Sequence, residues 1–132
     1  MNTEELAVLD ANDAFYRAFS KQDMKGIKEL WSADHDIAVI HPGWPPLLGH
    51  KAVFSSWQQI MEGEMSPSIS CVDARVNIFG ETAVVICTEV LANVGLVATN
   101  IFVLEDGDWK MIHHHAGPLP TMDNSVEAGK LH

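Results

Sequence analysis

Apolar side chains recur at helical spacing through the first half of the chain and at alternate positions through the second. Val8, Ala11, Phe15, Ala18 and Phe19 lie on one stripe, with Glu4 and Glu5 suited to the first turn of a helix. Asp23 is placed as an N-cap for a second, short helix carrying Ile27, Leu30 and Trp31. Ile37, Val39 and His41 alternate with Ala38 and Ile40, which predicts a strand ending at Pro42. Residues 42–46 form a proline-stiffened loop. Beyond Gly49, Val53, Phe54, Trp57, Ile60 and Met61 predict a third amphipathic helix.

From Ile69 onward the period is two. Strands are predicted over 69–79, 82–91, 96–104 and 109–116, with turns at Gly80-Glu81, Asn93 to Gly95 and Asp106-Gly107. Helices first and hairpins afterwards indicate α+β, with helices covering one face of a curved antiparallel sheet. Such a sheet closes into a cone with one open end, a usual small-molecule site. Residues 1–118 read as a single domain and 119–132 as a loosely held polar tail.

Composition narrows the function classes. The balance of 8 basic against 18 acidic residues gives a net charge of −10, which excludes a nucleic-acid surface and disfavours anionic lipid. No window has the ~20 apolar residues of a membrane span. The acidic first segment lacks the basic start and apolar core of a signal peptide, so a cytoplasmic location is expected. Cys71 and Cys87 are the only cysteines, expected as reduced, buried thiols.

The densest chemistry lies in Trp109 to His115. A two-residue turn at 106–107 pairs 105 with 108, hence 100 with 113 and 98 with 115. Asn100, His113, His115 and Trp109 then share a face, and His114 takes the other. One bulged residue at the turn would flip the parity and put Thr99 beside His113.

Several segments carry a resemblance: Asp23-Met24-Lys25-Gly26-Ile27 with Leu30-Trp31, His41-Pro42, Gly49, Ala98-Thr99-Asn100-Ile101-Phe102, and Asp106 to Lys110 with the closing His-x-His. In order and spacing, over about residues 5 to 118, they resemble the NTF2-like (cystatin-like) superfamily, in its SnoaL-like and ketosteroid-isomerase-like branch. The resemblance implies three N-terminal helices on a strongly curved antiparallel sheet, a pocket inside the cone, and a homodimer through the outer sheet face. It implies that Asn100, His113 and His115 point inward. His41 looks like the isomerase's catalytic base and Asn100 like one of its oxyanion-binding acids. Phe15 stands where the isomerase has its oxyanion-binding tyrosine, and Trp57 where it has another pocket tyrosine. Two of three catalytic groups are thus changed and one is lost, which argues against steroid isomerisation by that route.

The expected site follows. His41, titrating near neutrality, is a candidate general base for a proton α to a carbonyl. Asn100 either holds the developing oxyanion or ties strands together. His113 and His115 either join Asn100 at the oxygen, pair structurally, or bind a metal with His41. No carboxylate is evident to support a metal, so neither metal nor cofactor is expected. Phe15, Trp31, Trp44, Trp57, Ile86, Thr88 and Ala98 are the expected lining for a small apolar or aromatic molecule. His35, between Asp34 and Asp36, reads as solvated loop. The expected function is a cofactor-independent isomerase, cyclase or dehydratase; the alternative is a non-catalytic ligand-binding or dimeric assembly module.

Overall fold

Asn2 and Glu5 start the first helix with a reciprocal cap. Asn2 Oδ1 accepts from Glu5 N at 2.8 Å, and Asn2 N donates to Glu5 Oε1 at 3.0 Å. In a computed structural model describing residues 1–63, 68–92 and 94–120, helix α1 spans Thr3–Ser20, α2 Met24–Leu30 and α3 His50–Glu62. Asp23 caps α2 by accepting from Gly26 N at 3.0 Å. A Cβ on Gly26 would meet that carboxylate at 2.6 Å, so a larger residue would displace the cap. Helix α3 begins after Gly49, whose φ of +91° only glycine adopts without strain.

The strands are β1 Ala38–Ile40, β2 Leu47–Leu48, β3 Ser70–Phe79, β4 Thr82–Leu91, β5 Val94–Glu105 and β6 Asp108–Pro118. They form one open sheet in the order β2-β1-β6-β5-β4-β3. It is the expected antiparallel sheet, with β1 alone added parallel to β6. The short β2 lies just past the loop expected over residues 42–46. Asn93 and the tail from 121 on, for which a turn and a loose segment were expected, lie outside the described residues. Among the described residues, no helix is long and apolar enough to cross a membrane.

Helices and concave sheet face enclose one core. Val8, Phe15, Phe19, Ile27, Val53, Trp57 and Met61 from the helical side meet Ala83, Val85, Cys87, Ala98, Phe102, Met111 and Ala116 from the sheet. Along β4 the inward set is Ala83, Val85, Cys87 and Glu89. Ile86, 47% exposed, and Thr88 therefore belong to the outer face, and neither can line the cone.

The hairpin turn is the predicted one, with Glu105 opposite Asp108. Three pairs further on, Phe102 faces Met111, but the next pair is Ile101 with His113, so Ile112 is an extra residue in β6. Past this bulge the parity of β6 reverses: Asn100 pairs with His114 and Thr99 with His115. His114 is buried at 3% exposure, whereas His113 is half-buried and His115 exposed on the outer face. The inward placement expected for His113 and His115, and the outward one for His114, are both corrected by this single inserted residue.

Candidate functional site

The open end of the cone leads to a cavity of about 240 Å³. Phe15, Phe19, Trp57 and Trp44 give it aromatic walls, and Tyr16, His41, Glu89 and His114 supply its polar atoms. A larger groove of about 580 Å³ runs outside, between α1, α2 and the β5–β6 turn. Its charged residues include the exposed Arg17, Lys21 and Asp23 and the half-buried Lys110, with no convergent acid and base, so the smaller cavity is the chemical candidate.

His41 reaches the cavity because β1 stops one residue before it and Pro42 turns the chain away. Its ring stands edge-to-face against Trp57 and Trp44, at centroid distances of 4.7 and 4.9 Å. Ser56 Oγ lies 2.8 Å from His41 Nε2 and donates its own proton to Val53 O at 2.7 Å. The serine oxygen therefore accepts, which places the imidazole proton on Nε2 and a lone pair on Nδ1. Nδ1 has no hydrogen-bond partner among the described residues. Burial lowers the pKa of His41 to about 4, so the ring is neutral at physiological pH.

The inner wall is an open loop of four side chains, His114, Asn100, Tyr16 and Glu89, hydrogen-bonded at three of its four joints and branched to Asn12. His114 Nδ1 donates to Asn100 Oδ1 at 2.5 Å. Asn100 Nδ2 donates to Tyr16 Oη at 3.1 Å and to Asn12 Oδ1 at 2.8 Å. Tyr16 Oη donates to Glu89 Oε2 at 2.7 Å. Glu89 Oε2 faces His114 Nε2 at 3.7 Å, beyond a direct hydrogen bond. Burial raises the Glu89 carboxyl against the opposing pull of the Tyr16 bond. Burial, with smaller contributions from the neighbouring histidines, lowers His114 to about 3. His114 is therefore neutral, and burial favours the protonated form of Glu89, so their close approach is not an ion pair with a charged imidazole. Burial and the neighbouring carboxyl also raise Tyr16, which keeps its proton.

The structure brings His41, Phe15, Trp44 and Trp57 to the cavity. Trp31 and Ala98 are buried behind its wall: Trp31 packs on Phe15 and Trp57, and Ala98 pairs between Cys87 and Ala116. Asn100 points inward, but it is fully buried with both amide atoms engaged, so it orients His114 and Tyr16 instead of meeting a ligand. His113, His115, Ile86 and Thr88 are outside.

Two of the cavity's polar groups, Tyr16 and Glu89, had no place in the expected site, and His114 was expected on the outer face. Tyr16 lies one helical turn from Asn12, the other buried polar residue of α1, and that i, i+4 pair was its signal. Glu89 continues the parity of Ala83, Val85 and Cys87, the inward-facing set of β4. Cys71 and Cys87 are free thiols behind the loop; Cys71 accepts from Asn12 and Cys87 lies 3.3 Å from Tyr16 Oη. Among the described residues, no group of three His, Cys, Asp or Glu side chains is arranged to hold a metal ion.

Residues 8–121 match the family described as the SnoaL-like domain. A proposed dehydratase of the NTF2-like family from Streptomyces avermitilis has a similar structure, with a TM-score of 0.82 and 32% identity over 90% of this chain and 98% of that one. A proposed calcium/calmodulin-dependent protein kinase type II association domain from Thiobacillus denitrificans superposes with a TM-score of 0.76 and 28% identity, covering 83% of this chain and 93% of the other. The F-box protein SKIP8 of Arabidopsis thaliana is 25% identical over 122 residues, which are 91% of this chain. The chain spans about half (53%) of the length of that curated relative.

Proposed function

The chain belongs to the SnoaL-like domain family of NTF2-like proteins, and on that premise we propose that its cone dehydrates a small, uncharged β-hydroxy carbonyl compound by general acid–base catalysis. One observation carries this reading. A single apolar cavity holds a neutral imidazole with a free Nδ1 and a carboxyl group whose burial favours its protonated form. Elimination of water needs both, a base for the carbon-bound proton and an acid for the departing oxygen.

His41 Nδ1 takes the proton α to the carbonyl, and the C–H electron pair forms the new double bond. The C–O bond breaks, and the Glu89 proton goes to the leaving hydroxyl as water forms. Return of the proton from imidazolium to carboxylate through solvent restores both groups. The neighbouring carbonyl acidifies the C–H bond, which a base as weak as His41 requires. Asn100 and Tyr16 hold His114 and Glu89 in place. Among the described residues no Arg or Lys lines the cavity, which favours uncharged substrates over carboxylates or phosphates. The similarity to a proposed dehydratase supports the same reaction class.

The test is water loss from a panel of small β-hydroxy ketones, followed by the absorbance of the conjugated product. His41→Ala and Glu89→Gln should each lower turnover at least ~100-fold. No turnover across the panel, or a His41→Ala rate within about threefold of wild type, would remove the catalytic reading.

A second reading is assembly. Val72, Ile86, Val90 and Val97 lie exposed on the outer sheet face, an apolar strip suited to a second copy of the chain. The similarity to a proposed kinase association domain favours it. Sedimentation would show a dimer that Ile86→Lys converts to monomer; a wild-type monomer at all concentrations would contradict it.

A further inference from the structure

The bulge at Ile112 leaves His113 and His115 with no part in the cone. They are two residues apart on β6 and present their rings on the same outer surface, with centroids 6.3 Å apart and planes at 81°. Their strand neighbours carry no charge: Ile101 and Ala38 flank His113, and Thr99 and Ile40 flank His115. Neither ring makes a side-chain hydrogen bond to another side chain among the described residues.

We propose that His113 and His115 form a two-imidazole chelate for a divalent transition-metal ion on the outer sheet face. Imidazole is a good ligand for Zn²⁺, Ni²⁺ and Cu²⁺. Two imidazoles sharing one tetrahedral ion, at Zn–N distances of ~2.0–2.1 Å, place their centroids ~5 Å apart. Closing from 6.3 Å needs a shift of about 1 Å, which χ rotation of the exposed His115 can supply. No third His, Cys, Asp or Glu side chain joins them among the described residues, so water fills the other positions. The site is separate from the acid–base loop, which faces the opposite side of the sheet.

The experiment uses the full chain stripped with EDTA and titrated with Ni²⁺ alone. Calorimetry should show one saturable ion per chain. His113→Ala or His115→Ala should each weaken it by at least the ~10-fold that losing even a ligand's supporting partner causes. His35→Ala, at an exposed histidine elsewhere, should leave binding unchanged. In NMR spectra, Ni²⁺ should broaden the His113 and His115 ring protons before those of His41 and His114. Equal Ni²⁺ binding by wild type and the His113→Ala/His115→Ala double variant, or broadening that spares these two rings, would overturn the proposal.

Discussion

His114 donates its Nδ1 proton to Asn100 Oδ1 across 2.5 Å, and this contact fixes which ring nitrogen faces the cavity acid. With Nδ1 committed, the Nε2 lone pair is turned toward Glu89. Asn100 is fully buried and serves three partners at once: His114, Tyr16 and Asn12.

Asn100→Leu should therefore strand three buried polar groups. The expected loss is ~2–4 kcal/mol of stability, because each unsatisfied group carries a desolvation penalty. Urea unfolding measures it. A loss under about 1 kcal/mol would mean the loop reorganises around solvent.

Stability should fall on mild acidification. The folded pKa of His41 is about 4 and that of His114 about 3, against about 6.5 for an unfolded histidine. Between pH 6.5 and 4 the unfolded chain binds protons that the folded chain refuses. Each buried histidine then contributes a slope of up to ~1.4 kcal/mol per pH unit, with stability rising as pH rises. Glu89 acts in the opposite sense: its raised pKa makes the folded form hold a proton that the unfolded chain releases, so its contribution is lost as pH rises. Denaturant midpoints at several pH values should give a shallower slope for His41→Gln and a steeper one for Glu89→Gln. Parallel profiles for all three proteins would contradict these protonation states.

Glu89→Gln should separate chemistry from structure. The amide keeps an oxygen for the Tyr16 hydrogen bond but has no acidic proton. Turnover should fall ~100-fold, while stability at neutral pH stays level or rises. Loss of both together would make Glu89 a structural residue.

Trp57→Ala should open the cavity wall. Its ring packs against Phe15 at 5.3 Å, Phe19 at 5.5 Å, His41 at 4.7 Å and His114 at 5.4 Å. Removing a buried aromatic of this size costs ~3–5 kcal/mol. A thermal or urea midpoint near that of wild type would show that the wall closes over the gap.

The architecture was legible because its signals are local. Asp23 and Gly49 mark helix starts, Asp106-Gly107 marks the hairpin, and alternation marks the strands. The position of His41 followed from the strand end at Pro42. The rest of the site depended on strand phase, which one residue can reverse. Nothing in Lys110 to His115 announces a bulge: no glycine or proline interrupts the run, and Ile112 is a good strand residue on either face. In β4 both faces carry β-branched or apolar side chains, so Ile86 and Glu89 could not be assigned to opposite sides by hydropathy. Tyr16 was hidden by its neighbour Phe15, since both belong to the broad buried stripe of α1.

The protonation of the two cavity histidines is the claim on which the acid–base account turns, and ring ¹⁵N chemical shifts at pH 7 read it directly. His114 should be neutral with its proton on Nδ1, and His41 neutral with its proton on Nε2. An imidazolium at either position, or the opposite tautomer at His41, would contradict it.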